Sequence, residues 1–359
     1  MSEPAPVAAI PASEVAQNPT TEPPPYADAE PAEAPSTREV SAVEQKEEAI
    51  PTTSTGPAAG IPPADNSGPS VPAEAPPTEK PEDTPEEMEQ QTPLTRHFTP
   101  AEWAALKEFR KELPAALKDA YPERENAETT PFTLYGVTID PLKPAEDPRV
   151  SVILMKFLRA RNLHHGEARV MLVATLRWRE EFDVEAALKE EFPEGVFGKV
   201  GHVFGEDREG RPVVYNLYGG NKDLKAVFGD VQRFLRWRVA LMERCVRQLD
   251  FLEIDQTVQV HDYEGVSLTS RDANSKQAAS EATSIFQNHY PEFLHRKFFI
   301  NVPTLLNWIF WAFKPLISAN TLAKMSVVGT GKHAISRALL PVIPAENLPQ
   351  RYGGDAVAF

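Results

Sequence analysis

Residues 257–263 read Thr257-Val258-Gln259-Val260-His261-Asp262-Tyr263, and the alternation in this stretch decides the fold. Its β-branched and aromatic residues suit an extended strand, and alternate side chains of a strand share a face. Val258, Val260 and Asp262 therefore fall on one face, and Thr257, Gln259, His261 and Tyr263 on the other. The valine face predicts packing on helices. The opposite face sets an imidazole beside a phenol. Lining a cavity, these two groups could bind a metal, and either can hold haem iron axially. Otherwise they are polar residues hydrogen-bonded within a wet interior.

Outward from this strand the pattern alternates. A long amphipathic helix is expected over Gly229 to Leu252 before it, and another over Ser270 to Tyr290 after it. Val200 to Phe204 and Pro212 to Tyr218 read as strands joined by a turn over Glu206 to Gly210. Phe298 to Val302 and Met325 to Val328 read as further strands, and Lys332 to Leu340 as a helix. This alternation predicts an α/β fold with a sheet covered by helices. No internal repeat is visible.

Upstream, Thr99-Pro100-Ala101-Glu102 is a capping box with proline at the first helical position. Trp103, Leu106, Phe109 and Leu113 follow at helical spacing until Pro114 stops or kinks the run. A turn-rich stretch holds Pro122, Pro131 and Pro141. Two helical segments come next, one with Val152, Leu154, Phe157 and Leu158 beside Lys156, Arg159 and Arg161, the other from about Gly166 to Phe182. Together they suggest a small helical cap.

The 359-residue chain carries a net charge of −15, and all of it lies in residues 1–92, which hold 3 basic and 18 acidic side chains. The same segment has 19 of the 35 prolines and a single aromatic residue, Tyr26. Such a composition cannot bury enough apolar surface to offset chain entropy, so a disordered acidic tail is expected over 1–92. The expected domains are that tail, a helical segment over 93–195 and a ligand-binding domain over 196–359.

A neutral body has no basic excess for holding nucleic acid through its phosphates. No signal or transit peptide is evident. The single cysteine, Cys245, rules out a disulfide framework and fits a reducing compartment. No apolar stretch is long enough to span a bilayer. A cytoplasmic protein, peripheral to a membrane, is the expectation. The glycine-rich phosphate loop, the nucleophile elbow, the zinc-protease helix motif and the kinase motifs are all missing from the sequence.

Three further features bear on a ligand. On the helix over 229–252, Val231, Phe234, Leu235, Met242, Cys245 and Leu249 form an apolar stripe with Arg238 near its centre. A guanidinium there needs a partner: either an internal acid, with Asp262 and Glu264 as candidates, or an anionic ligand group. Lys297, read as the start of a strand, either snorkels to water or meets an anion in a cavity. Residues 304–313 read TLLNWIFWAF, too short to span a membrane. This run is either a buried core helix or a movable apolar helix closing a lipid cavity at a membrane interface.

The order of these elements resembles the CRAL-TRIO lipid-binding family. The matching motifs are Lys156-Phe157-Leu158-Arg159-Ala160-Arg161, Gly210-Arg211-Pro212-Val213-Val214, Asp262-Tyr263-Glu264-Gly265-Val266-Ser267, Asn288-His289-Tyr290-Pro291-Glu292, Phe299-Ile300-Asn301-Val302-Pro303, and Ile343 to Pro349 with Tyr352-Gly353-Gly354. The resemblance covers about residues 97–354. It implies a helical N-terminal cap, a mixed β-sheet and a hydrophobic pocket under an apolar gate helix, here the run over 304–313.

Within that family, Gln259 to Tyr263, Asn216-Leu217-Tyr218-Gly219 and Phe234-Leu235-Arg236-Trp237-Arg238 resemble the fungal non-classical phosphatidylinositol transfer proteins that also hold haem b. The resemblance implies Tyr263 as axial iron ligand with His261 beside it, and Tyr218, Arg238 and Lys297 as contacts to the haem or its propionates. Asp255 with Arg296 or Lys297 stands where classical members read an inositol phosphate headgroup. The implied activity is movement of phosphatidylinositol between membranes, with no bond of the lipid made or broken. The implied setting is the endoplasmic reticulum or microsomal surface, with a role in oxidant or haem-linked stress. A lipid-transfer module without metal and a haem-dependent redox enzyme stand as alternatives.

Overall fold

A computed structural model describes residues 89–266, 273–302 and 323–359. The chain divides into two units, 1–78 and 79–359, and the described residues all belong to the second. The expected gate helix over 304–313 lies outside them.

The N-terminal part is mostly helical. Helix α1 (Pro100–Lys111) starts on the expected capping box, with the Thr99 side chain accepting from Glu102 N–H and the Glu102 carboxylate accepting from Thr99 N–H. The run breaks before Pro114, and α2 (Leu113–Ala120) follows with proline in its first turn. The turn-rich stretch contains a hairpin, β1 (Phe132–Leu134) and β2 (Val137–Ile139), three residues each. Alternation this short leaves little periodic signal. Tyr135 (φ +52°) and Gly136 (φ +87°) make the reversal. Helices α3 (Pro148–Arg159), α4 (His165–Phe182), α5 (Val184–Lys189) and α6 (Glu194–Phe197) complete the cap. Its ordered contacts reach back to Glu89, which pairs with Arg110 and accepts from the Ser151 hydroxyl.

A five-stranded sheet follows, built from β3 (Gly201–Glu206), β4 (Pro212–Leu217), β5 (Thr257–Asp262), β6 (Leu294–Ile300) and β7 (Met325–Val327). The strands lie in sequence order. The pair β3–β4 is antiparallel and the other pairs are parallel. The β3–β4 turn is locked by Asp207, whose Oδ1 accepts from the N–H groups of Glu209 and Arg211. Between β4 and β5 lie α7 (Leu224–Phe228) and α8 (Val231–Val246), and α9 (Ala273–His289) joins β5 to β6. Helix α10 (Lys332–Leu339) follows β7.

The sheet has two unlike faces. Val213, Tyr215 and Leu217 of β4, Val258 and Val260 of β5, and Phe298 and Ile300 of β6 pack with Ile335 and Leu339 of α10. This is the valine face expected from the sequence. Val214, on the other face, joins Phe234, Leu235, Trp237 and Leu241 of α8. Helix α8 is buried almost all round, because the cap covers it from the far side. It ends at Val246, six residues before the expected Leu252, where the Asp250 carboxylate gathers the N–H groups of Leu252, Glu253 and Ile254 into a tight turn.

Candidate functional site

Register places the candidate residues together. Asn216 of β4 pairs with His261 of β5, and His261 with Phe299 of β6. Gln259 pairs with Lys297. Alternation then sets Tyr218, Gln259, His261, Tyr263, Lys297 and Phe299 on one face. Tyr215, three residues before Tyr218, lies on the opposite face and stacks on Tyr352 with ring centroids 5.7 Å apart. Lys297 is the fourth residue of its strand, not the first, and its neighbours Leu294 to Arg296 carry the chain out to the surface.

The polar contacts on this face are short. The Tyr218 hydroxyl lies 2.6 Å from His261 Nδ1, and His261 Nε2 lies 3.2 Å from Gln259 Oε1. The rings of Tyr218 and Tyr263 sit 5.0 Å apart, and those of His261 and Phe299 5.5 Å apart. His261 is 4% exposed, while Tyr218, Tyr263, Lys297 and Phe299 keep partial accessibility deep within the fold. Aromatic side chains that are interior yet partly accessible form a face against which a ligand could lie.

Arg238 enters from α8. It is 8% exposed, and its Nη1 has no hydrogen-bond partner. Its guanidinium carbon lies 4.6 Å from the centre of the Phe286 ring. Neither acid considered as its partner reaches it. Asp262 points to the back face and bonds Tyr352, Asn301 and the Glu264 N–H. Glu264 pairs with Arg351 at the surface. No acid pairs with Lys297 among the described residues, where its ammonium faces the Phe299 ring at 5.2 Å.

Two cations with no acid paired to them among the described residues thus lie close enough to act on one another. Burial, and then the Arg238 charge, lower the Lys297 ammonium to about 8. Burial flanked by Lys297 and Arg238 holds the His261 imidazole well below its ordinary range. Burial raises the Tyr218 phenol, with Arg238 opposing. The wall offers phenol and imidazole groups, aromatic surface and positive charge. An extended ligand with an apolar body and anionic groups meets each of these needs.

The residues suit haem b on the same grounds. Its propionates would satisfy the orphaned Arg238 Nη1 and Lys297, its flat ring would lie on aromatic surface, and Tyr263 could supply a phenolate to the iron. No cluster of three or more His, Cys, Asp or Glu residues able to hold a bare metal ion occurs among the described residues.

Other candidates resolve differently. Asp255 does not face the cavity: its carboxylate lies 2.7 Å from Lys156 Nζ, and Lys156 is 1% exposed. Arg296 is exposed, and Arg236 pairs with Glu190 at 2.6 Å. Cys245 is buried, and burial pushes its thiol up to about 12, which leaves it unreactive. The buried group of Glu243, Arg179 and Tyr290 went unnoticed in the sequence. Glu243, 0% exposed, takes Arg179 at 2.7 Å and the Tyr290 hydroxyl at 2.7 Å, and so ties the cap to α8. A glutamate inside an apolar stretch of α8 is the signal that could have revealed it.

Comparison with known proteins agrees with this architecture. The CRAL/TRIO domain model matches residues 197–354. The phosphatidylinositol transfer protein sfh5 of Sclerotinia sclerotiorum is 36% identical over 265 residues, covering 69% of this chain and 60% of that protein. The phosphatidylinositol transfer protein SFH5 of Phaeosphaeria nodorum is 35% identical over 240 residues, covering 62% of this chain and 70% of that protein. The crystal structure of Sfh5 superposes with a TM-score of 0.57 at 26% identity, covering 67% of this chain and 83% of that one. The chain therefore spans less than two thirds of the Sclerotinia relative and more than two thirds of the Phaeosphaeria one. With this coverage, the chain belongs to the CRAL/TRIO family and, within it, to the Sfh5 group.

Proposed function

We propose that this protein binds phosphatidylinositol and exchanges it between membranes, and that the same cavity holds haem b with Tyr263 on the iron. The observation that carries the reading is the pair of interior cations, Arg238 and Lys297, beside aromatic rings and with no acid paired to either among the described residues. Buried charge is costly unless compensated, so the wall is built for an anionic ligand with a large apolar body. Phospholipid and haem both fit that description. The names of the relatives support the lipid, and the phenol and imidazole on the wall support the haem.

When bound, haem supplies an iron centre open to a phenolate ligand. The chain's own part is to hold it. Tyr263 would hold the iron, His261 and Tyr218, hydrogen-bonded to each other, would support it, and Arg238 and Lys297 would hold the carboxylates. In this reading the protein is a carrier acting at the cytoplasmic face of endoplasmic reticulum membranes, with a link to haem or oxidant stress, and it transforms neither ligand.

An absorption spectrum of the full chain purified from haem-replete cells tests the haem part. A Soret band is expected, shifted or bleached by Tyr263→Phe, and colourless protein would refute it. Mass spectrometry of extracted ligand, with transfer of labelled phosphatidylinositol between vesicles, tests the lipid part. Neither bound nor transferred lipid would refute that half.

A further inference from the structure

Asp262 occupies the face of β5 turned away from the cavity and is 1% exposed. Both of its carboxylate oxygens are engaged. Oδ1 accepts from the Glu264 N–H at 2.8 Å and from Asn301 Nδ2 at 2.8 Å. Oδ2 accepts from the Tyr352 hydroxyl at 2.7 Å, with Arg351 3.7 Å away. The first of these bonds closes an Asx turn, in which an aspartate side chain bonds the N–H two residues ahead. The residue enclosed by that turn is Tyr263.

The backbone around it is tied as well. Tyr218 N–H donates to the Asp262 carbonyl, and Tyr263 N–H to the Ile300 carbonyl, each at 3.0 Å. Asn301 holds a φ of +53°, a conformation that is strained for an L-residue and is eased by local hydrogen bonding of an asparagine side chain. Behind the sheet, Tyr352 is itself buried and stacked on Tyr215.

We propose that Asp262 is the positioning residue of the site: from behind the sheet, its carboxylate fixes the turn that carries the Tyr263 ring onto the cavity wall, with Tyr352, Arg351 and Asn301 holding the carboxylate in place. A carboxylate that only joined segments would be indifferent to where Tyr263 points. The Asx turn constrains the residue inside it, and that residue bears the phenol. The consequence for iron rests on the proposed haem reading, whereas the aim of the ring does not.

The test begins with the ligand-free full chain. The Tyr218 and Tyr263 rings, 5.0 Å apart, are close enough for ring-to-ring nuclear Overhauser effects. Asp262→Ala is expected to abolish them. Asp262→Asn, which keeps an oxygen for the Glu264 N–H, is expected to retain them. Ile335→Val, a truncation in the same back-face core, is expected to lower thermal stability and leave them intact. Persistence of the effect in Asp262→Ala, or its loss in Ile335→Val, would overturn the proposal. If Asp262→Ala does not fold, Asn301→Ala combined with Tyr352→Phe releases the carboxylate instead, and unchanged intensity there overturns it equally. Haem titration supplies the second readout. Asp262→Ala is expected to weaken uptake by about tenfold or more, as groups supporting a metal ligand do, and to alter the tyrosinate-to-iron absorption, while Ile335→Val does neither. Wild-type protein that takes up no haem would count against the haem reading alone and leave the ring measurement standing.

Discussion

Lys156 Nζ lies 2.7 Å from the Asp255 carboxylate, with the lysine 1% and the aspartate 15% exposed. The ammonium also donates to the carbonyls of Asp255 and Glu292 and sits 4.6 Å from the centre of the Phe293 ring. These contacts bolt α3 of the cap to the loops entering β5 and β6. Breaking a buried pair from one side leaves the other charge uncompensated, at a cost of about 3–5 kcal/mol. Lys156→Ala is expected to show a loss of that order in urea unfolding. Lys156→Met combined with Asp255→Asn is expected to recover much of it. Equal losses in both variants would show that packing, not charge, dominates.

Arg238 calls for the opposite sign. Its guanidinium is interior with Nη1 unpartnered, so the ligand-free protein carries an uncompensated cost. Arg238→Met is expected to raise the melting temperature of ligand-free protein while weakening binding of the anionic ligand. Thermal unfolding without ligand and titration with haem or phosphatidylinositol vesicles read the two effects. A variant that loses both stability and binding would mark Arg238 as a structural residue.

How far the site was legible in the sequence follows from the same residues. Strand parity alone placed His261 and Tyr263 on one face and the valines on the other, and helical spacing alone placed Arg238 inward. Both are local rules, and both hold in the structure. The partner of Arg238 was not legible. Asp262 and Glu264 are near in sequence terms, but Asp262 points through the sheet to Tyr352 and Glu264 outward to Arg351. Periodicity fixes a direction from the backbone and says nothing of what another segment brings there. Asp255 and Lys156 fail for the same reason: the pair joins residues 99 positions apart. The small hairpin of β1 and β2 escaped because three-residue strands are too short for alternation to register.

Lys297 gives a pH dependence. Its folded pKa of about 8 is below the ordinary lysine value, so between about 8 and 10.5 the unfolded chain holds a proton that the folded one has released. The stability contributed by this group is therefore present above the unfolded value and lost as pH falls through about 8. Ligand-free protein is expected to gain stability from pH 7 toward pH 10, and Lys297→Met to flatten that rise. Affinity for an anionic ligand should move the other way, weakening as the ammonium deprotonates. Denaturant midpoints and binding isotherms across this range check both slopes, and parallel slopes would exclude Lys297 as the anion contact.

His289 contributes to the acid limb. Its ring stacks on Trp178 with centroids 4.4 Å apart and planes 3° from parallel. Burial, and then the nearby Arg179 charge, lower its pKa to about 4. Tyr135 on the cap hairpin donates to the His289 carbonyl at 2.5 Å, so this residue sits at the junction of the cap with α9. A histidine with a depressed folded pKa favours the folded state while neutral, and this contribution disappears as pH falls from about 6.5 toward 4. The unfolded chain takes up the proton first, so stability should decline through that window. His289→Phe preserves a flat ring for Trp178 and removes the titration. It is expected to leave stability at pH 7.5 nearly unchanged and to reduce the decline between pH 6.5 and 4.5, measured by urea unfolding at each pH. A variant that declines as steeply as wild type would assign the acid sensitivity to other groups, with His261, whose imidazole burial also holds well below its ordinary range, the first to examine.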